Sequence, residues 1–312
     1  MEKFTAYLQS KNLAQSSINH YTDYTSKFFA YCKKEAAQVE KKDVLKYLQY
    51  LQNKKGYENI TRRNHLIAIN HYFTFLLKAE QVANNPATLI KIRGTNKRHL
   101  YKIYTPEELE QLFDTYYTLF VKTFDDSHIP KNQRKQSALS KERNAAILSI
   151  LLNQGTTTKE IDTILLQDID LQKATLKIRG SKKSNERVLP LKAEQIGLLM
   201  HYLNTLRPQL LEYHTADSNK LFLPMPEFSK RDTESGTLMH VFKPFTSQLK
   251  SIHKNFVNFK QVRASVITYW LKTYGLRKAQ HYAGHRYISS TENYLPNEME
   301  TLTDDIAKYN PF

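Results

Sequence analysis

Near the C-terminus the sequence reads Ala283-Gly284-His285-Arg286-Tyr287-Ile288-Ser289-Ser290-Thr291-Glu292-Asn293-Tyr294. Glycine often ends a helix and small hydroxyl residues often begin one, so this stretch predicts a helix end, a connection and a second helix start. His285 lies in the connection, and Tyr294 follows it by nine residues. An imidazole can donate a hydrogen bond to a phosphoryl oxygen and a phenol oxygen can attack phosphorus, so the pair suits phosphoryl chemistry.

Two further motifs precede this stretch in an order that suits the same chemistry. Lys260-Gln261-Val262-Arg263 opens an apolar helix and offers two cations. Earlier, Gly155 and Glu160 lie in the stretch Gln154-Gly155-Thr156-Thr157-Thr158-Lys159-Glu160-Ile161, which follows a continuous apolar run. The order and spacing of these motifs resemble the catalytic half of the tyrosine recombinases, also called the phage integrase family.

The resemblance implies a role for each matching residue. Tyr294 would be the nucleophile, and Arg263, Lys260 and His285 would stabilise the phosphate oxygens. Lys260 stands where the family usually has histidine, and its ammonium can still form charge-assisted hydrogen bonds with phosphate. Glu160 fits the family pattern as a supporting residue.

A β-hairpin is predicted between these motifs. The segments Ala174–Arg179 and Arg187–Leu191 alternate in polarity around the polar turn Gly180–Glu186. In the family such a turn carries the lysine that protonates the leaving 5′ oxygen. Counting back from Arg187 assigns this role to Lys182, with Lys183 as the alternative.

The position of the family's first phosphate-binding arginine is occupied by Thr157. A neutral hydroxyl cannot replace a guanidinium, so we expect an arginine from elsewhere to substitute. Arg179 and Arg187 flank the hairpin turn, and strand alternation makes it improbable that both face the site. Arg187 is the slightly favoured of the two.

The N-terminal part shows helical periodicity and no strand alternation, which predicts a small helical bundle. By the resemblance, residues 1–90 form a SAM-like, DNA-binding core-binding domain, residues 91–100 a basic linker, and residues 101–312 an integrase-type catalytic domain with a C-terminal tail. The predicted fold is mainly α with a small β-sheet. Residues expected to contact DNA phosphates are Arg62, Arg63, Lys97 and Arg98.

Local sequence also predicts three details of the catalytic part. Thr105-Pro106-Glu107-Glu108 is a capping box that starts a helix. The polar stretch Thr123–Arg143 is predicted to be a long loop or insertion. The tail Thr301–Lys308 is predicted to be helical.

Composition limits the functional class. The chain has 312 residues and a formal net charge of +16, which indicates a polyanionic partner, most often nucleic acid. Its only cysteine is Cys32, so an intramolecular disulfide is impossible and a reducing compartment fits. The sequence lacks an apolar run of membrane-spanning length, a signal peptide and a His or Cys pattern for zinc. We therefore expect a cytoplasmic, nucleoid-associated protein without metal or cofactor.

The resemblance implies a site-specific DNA recombinase or integrase that acts through a 3′-phosphotyrosyl intermediate, and we expect it to be encoded by a mobile genetic element. Its expected partner is double-stranded DNA, on which it would form a tetrameric synapse, with accessory DNA-bending proteins possible. Two alternatives stay open: an integrase-fold protein that binds DNA without cutting it, suggested by Thr157, and a type IB topoisomerase-like activity.

Overall fold

The computed structural model describes residues 1–94, 101–214, 217–225 and 237–295. The chain divides into two compact units, Met1–His99 and Leu100–Phe312. Each unit has a hydrophobic core of its own. Two predicted features lie outside the described residues: the linker positions Lys97 and Arg98, and the tail helix Thr301–Lys308.

The first unit is the predicted helical bundle. It consists of α1 (Glu2–Ser10), α2 (Gln15–Cys32), α3 (Lys41–Asn53) and α4 (Asn59–Lys78). Helix α4 lies in the middle of the bundle and is packed against the other helices. Phe28, Tyr47 and Phe73 are buried at its centre, so aromatic side chains supply much of this core.

The second unit begins with α5 (Pro106–Tyr116), where the predicted capping box is confirmed. The Thr105 hydroxyl accepts from Glu108 N–H, and the Glu108 carboxylate accepts from Thr105 N–H. The predicted loop Thr123–Arg143 is wrong over most of its length, because α6 (Lys131–Gln154) begins directly after Pro130. Lysine, arginine, glutamine and alanine are good helix formers, so polarity alone was a poor sign of a loop there.

The predicted hairpin is confirmed and is extended by a third strand. Strands β1 (Ile169–Asp170), β2 (Thr175–Ile178) and β3 (Arg187–Pro190) pair antiparallel in the order β1-β2-β3. In this register Ile178 lies opposite Arg187, and opposed residues share a face of the sheet. The other α-helices in the described part of this unit are α7 (Thr158–Thr163), α8 (Ala193–His201), α9 (Arg207–Leu211), α10 (Met239–Ile252), α11 (Phe259–Ala283) and α12 (Ile288–Glu292).

Two glycines with positive φ end helices next to the site residues. Gly155, with φ of 53°, ends α6, and Gly284, with φ of 70°, ends α11. A third, Gly275 with φ of 75°, interrupts α11. The buried first part of α11 packs against α6 and β3, so the end of α6, the start of β3 and the end of α11 meet in one place. Within the described ranges no helix is both long and apolar enough to cross a bilayer.

Candidate active site

Arg263 lies where the end of α6, the start of β3 and the end of α11 meet. Its Nη1 donates to Gly155 O at 2.5 Å, and its Nη2 donates to Ala283 O at 2.8 Å. These bonds fix the guanidinium between the ends of α6 and α11. Burial lowers the pKa of Arg263, while the charge of Glu160 and the phenol of Tyr294 act in the opposite direction. The predicted second arginine is therefore a buried, fixed cation beside the predicted nucleophile.

Glu160 holds two guanidinium groups at once. Its Oε1 lies 2.7 Å from Nη1 of Arg187, and its Oε2 lies 3.6 Å from Nη1 of Arg263. Burial alone would raise the pKa of Glu160, but the hydrogen bond from Arg187 and the charges of both arginines outweigh it and lower the pKa. The cluster thus keeps one net positive charge, which favours an anionic ligand.

Thr157 serves as the N-cap of α7. Its hydroxyl accepts from Glu160 N–H at 3.1 Å and donates to the Glu160 carboxylate at 3.0 Å. Thr157 N–H donates to the same carboxylate at 2.8 Å. The residue at the expected arginine position therefore orients Glu160, which in turn binds two arginines.

The structure brings Arg187 into this cluster and leaves Arg179 outside it. Arg187 begins β3 on the same face as Leu189 and has a fully buried side chain. Arg179 follows Ile178 on the opposite face, is 39% exposed, and pairs with the buried Asp168 at 2.8 Å. The alternation of the strands separates the two predicted substitutes, and only Arg187 approaches Arg263.

Two nitrogens of Arg187, Nε and Nη2, have no hydrogen-bond partner among the described residues although they are buried. Buried donors without partners are rare, because each costs about 1–3 kcal/mol of stability. Gly284 lies directly against this guanidinium: a Cβ placed there would stand 2.5 Å from Arg187 Nη1. The absence of a side chain at Gly284 is what makes room for Arg187.

His285 is held between two side chains. Its Nε2 is 3.3 Å from Arg263 Nη2, and its Nδ1 is 2.9 Å from Thr291 Oγ1. Arginine has no acceptor, so Nε2 must accept and Nδ1 carries the proton that Thr291 accepts. Burial, followed by the charges of Arg263 and Arg187, lowers the pKa of His285 to about 4. His285 is therefore neutral at pH 7 in this structure.

Tyr294 lies two residues beyond the end of α12, beside His285. The two rings are stacked with centroids 5.8 Å apart and planes inclined by 11°. Tyr294 N–H donates to Thr291 O at 3.0 Å, and its side chain packs partly buried against the core. Tyr287, the other tyrosine in the stretch from Ala283 to Tyr294, is 72% exposed, so Tyr294 is the tyrosine of that stretch that the fold joins to the cluster.

The two predicted lysines lie on separate elements. Lys182 is on the exposed turn between β2 and β3, and that turn contacts the segment that carries His285 through Asn185 N–H and Gly284 O at 2.8 Å. Lys260 is exposed in the first turn of α11, one turn before Arg263. The N-cap of that helix is Asn258, whose side chain accepts from Lys260 N–H.

Arg62 and Arg63 lie in the first unit, on α4. The Arg62 guanidinium donates to Leu48 O at 3.0 Å and to Asn59 Oδ1 at 3.0 Å, so it joins α3 to the start of α4. This gives Arg62 a structural role beside the predicted contact with phosphate. No cluster of three His, Cys, Asp or Glu side chains suited to a metal occurs within the described ranges.

Sequence reasoning missed three residues around His285. Thr291 accepts from its ring, Gln280 donates to its backbone carbonyl at 3.2 Å, and Arg286 donates to Ser181 O at 3.1 Å. The Ser/Thr-rich start of α12 was a signal for Thr291. Nothing local indicated the other two, because their partners depend on how α11 ends and how the hairpin packs.

Comparison with known proteins identifies the family to which the chain belongs. Residues 125–301, more than half of the chain, match the model of the "Phage integrase family". The chain belongs to the phage integrase family. Residues 1–82 match the "Phage integrase, N-terminal SAM-like domain". The family includes the tyrosine recombinases, and the predicted family membership and fold class are both confirmed.

Relatives of this phage integrase family member match along nearly its whole length. "Tyrosine recombinase XerC" from Natranaerobius thermophilus is 28% identical, covering 96% of this chain and 94% of that protein. "Tyrosine recombinase XerA" from Pyrococcus furiosus is 25% identical, covering 99% and 93%. The XerH site-specific recombinase bound to a palindromic difH substrate shares the fold with a TM-score of 0.69 and 20% identity, covering 96% of this chain and 82% of that one. A lambda integrase dimer bound to a COC′ core site shares it with a TM-score of 0.60 and 12% identity, covering 94% and 75%.

Proposed function

We propose that the protein is a site-specific DNA recombinase whose Tyr294 attacks a phosphodiester. The phenol oxygen would form a 3′-phosphotyrosyl bond as the bond to the 5′ oxygen breaks, releasing a 5′ hydroxyl. The 5′ hydroxyl of a partner strand would then attack the ester and release Tyr294. The observation that carries this proposal is the meeting of Arg263, Arg187 and His285 next to the Tyr294 ring.

In this mechanism each side chain acts on a charge or a proton. Arg263 and Lys260 stabilise the negative charge of the pentacovalent phosphate. Lys182, with Lys183 as the alternative, protonates the leaving 5′ oxygen. His285 accepts a hydrogen bond at Nε2 in this structure, so donation to a phosphoryl oxygen requires that phosphate binding shift its proton or protonate the ring.

Arg187 supplies the positive charge that Thr157 cannot. It binds the same carboxylate as Arg263 and keeps two donors that have no partner in the part of the chain that the structure describes. Because its side chain is fully covered, direct contact with phosphate requires a small displacement of Gly284 or of the neighbouring turn. This arrangement favours an active enzyme over an integrase-fold protein that only binds DNA.

The proposal extends to the whole chain. Residues 1–90 would bind DNA, with Arg63 and Arg62 facing phosphates, residues 91–100 would follow the DNA, and residues 101–312 would cut it. A lambda integrase tetramer bound to a Holliday junction has the same fold, with a TM-score of 0.58, which supports a tetrameric synapse here. We also propose that the target sites belong to a mobile element, where accessory DNA-bending proteins could take part.

A covalent trap tests this function. The protein is incubated with nicked duplexes from the flanks of its own gene, so that cleavage releases a short fragment and leaves Tyr294 attached to DNA. We expect a denaturant-resistant adduct on one flank sequence and none on a scrambled duplex. Adducts on every sequence, together with relaxation of supercoiled plasmids, would indicate a topoisomerase. Specific binding without any adduct would indicate a protein that no longer cuts.

A further inference from the structure

The hairpin turn and the connection between α11 and α12 form a short antiparallel pairing. Asn185 N–H donates to Gly284 O at 2.8 Å, and Ser184 pairs with His285 in an isolated antiparallel β-bridge. The turn that carries the predicted general acid is thereby attached to the segment that carries His285. A displacement of this pairing would move the acid relative to the phosphate site.

Arg286 adds a side-chain connection to the same pairing. Its Nη2 donates to Ser181 O at 3.1 Å, and that carbonyl belongs to the peptide bond between Ser181 and Lys182. Ser181 also organises the turn, since its Oγ accepts from Lys183 N–H at 3.1 Å and from Ser184 N–H at 3.2 Å. The guanidinium therefore holds the turn at the residue that directly precedes Lys182.

We propose that Arg286 is a positioning residue for the general acid of the hairpin turn. The inference rests on the proposed recombinase function, in which a turn lysine protonates the leaving oxygen. A charge-assisted hydrogen bond limits the orientations of an exposed turn, and a general acid acts only when it lies within hydrogen-bond reach of the leaving atom. Arg286 follows His285 directly in the chain, so its contact with the turn fixes the position of the acid relative to the phosphate-binding side chains.

The experiment measures single-turnover cleavage of two nicked duplexes, one with an ordinary 5′ oxygen and one with a 5′ bridging sulfur. Arg286→Ala should slow cleavage of the ordinary duplex about 10- to 100-fold, as expected for a catalytic group displaced by about 1 Å. A thiolate leaves without protonation, so the sulfur duplex should be cut at the rate of the unmodified protein. Lys278→Ala removes a different exposed cation, which lies on α11 rather than in the connection, and should preserve both rates.

Two comparisons separate positioning from other roles. The double variant Lys182→Ala with Arg286→Ala should cleave ordinary DNA no more slowly than Lys182→Ala alone, because both changes impair the same step, protonation of the leaving oxygen. If Lys183 is the acid, the corresponding comparison uses Lys183→Ala. Equal slowing of Arg286→Ala on both duplexes, with weaker DNA binding, would show that Arg286 binds DNA and would overturn the inference. Multiplicative losses, or unchanged cleavage of ordinary DNA, would also overturn it.

Failure of the proposed function gives a different result. If the unmodified protein forms no adduct with either duplex, the recombinase proposal fails and the role of Arg286 fails with it. Thermal unfolding of Arg286→Ala verifies that the variant is folded, which its exposed position favours.

Discussion

The guanidinium of Arg187 is bonded to the carboxylate of Glu160, with 2.7 Å between Nη1 and Oε1. The other oxygen of this carboxylate lies 3.6 Å from Arg263. One acidic residue of α7 therefore pairs with an arginine from the β-hairpin and with another from α11. The pairing explains how a site with threonine at position 157 still contains two buried guanidinium groups.

Arg187→Ala should lower the rate of adduct formation by about 100-fold or more, the usual cost of losing one preorganised donor. Arg179→Ala is the matched control, because Arg179 pairs with Asp168 on the opposite face of the hairpin. It should cleave at the normal rate. DNA binding measured alongside should change little in either variant. Normal cleavage by Arg187→Ala would contradict the proposal that this residue replaces the missing arginine.

Tyr294→Phe should form no covalent adduct while keeping most of its affinity for DNA, because the change removes only the attacking oxygen. Tyr287→Phe is the control, since Tyr287 is exposed and close in sequence. Denaturing gel electrophoresis with labelled DNA reads both results. An adduct with Tyr294→Phe and none with Tyr287→Phe would assign the nucleophile to Tyr287.

Lys182→Ala should cut ordinary DNA about 100-fold or more slowly, within the range of general acid catalysis. A 5′ bridging sulfur should restore the rate, because the thiolate leaves unprotonated. Lys183→Ala tests the neighbouring lysine of the same turn and should retain cleavage. The opposite pattern would transfer the role to Lys183.

Gly284→Ala should reduce both stability and cleavage. The residue has φ of 70°, and an added Cβ would meet Arg187 Nη1 at 2.5 Å. Gly56→Ala provides a comparison, because Gly56 has φ of 64° and open space around its Cβ position. Left-handed strain alone costs about 1–2 kcal/mol, so urea unfolding should show a larger loss for Gly284→Ala. Equal losses would mean that the contact with Arg187 is unimportant.

Acid should destabilise the protein through buried histidines. His65 is 2% exposed, its Nδ1 lies 3.0 Å from the Tyr47 hydroxyl, and burial lowers its pKa from 6.5 to about 4. Between pH 6.5 and 4 the unfolded chain binds this proton and the folded chain does not, so the free energy of unfolding falls as pH falls. The loss for His65 approaches about 3 kcal/mol.

Unfolding in urea at pH 7 and pH 5 measures this dependence, and NMR titration reports the pKa directly. His65→Gln should reduce the difference between the two pH values. His20→Gln, which changes an exposed histidine, should leave it unchanged. A pKa near 6.5 for His65 in the NMR titration would contradict the prediction.

Local sequence was sufficient to predict the helical bundle, the start of α5 and the hairpin. Helical periodicity in the N-terminal part indicated the helical bundle, and the capping box at Thr105 indicated the start of α5, because caps and periodicity act over a few residues. The spacing from His285 to Tyr294 likewise identified the nucleophile that we propose. The same local reasoning failed at Lys131–Arg143, where charged helix formers continue a helix whose later half is buried.

Only the tertiary structure decided which arginine joins the site. The sequence placed Arg179 and Arg187 at equivalent ends of a hairpin, and strand alternation showed only that their directions differ. The register of β2 on β3 and the packing of the sheet against α11 directed Arg187 toward Glu160 and left Arg179 with Asp168. The contact of Arg286 with the turn is of the same kind. Such contacts join residues far apart in the chain. Their geometry is fixed by the packing of whole elements and by the absence of a side chain at Gly284, where Arg187 takes the space, and no local pattern encodes this.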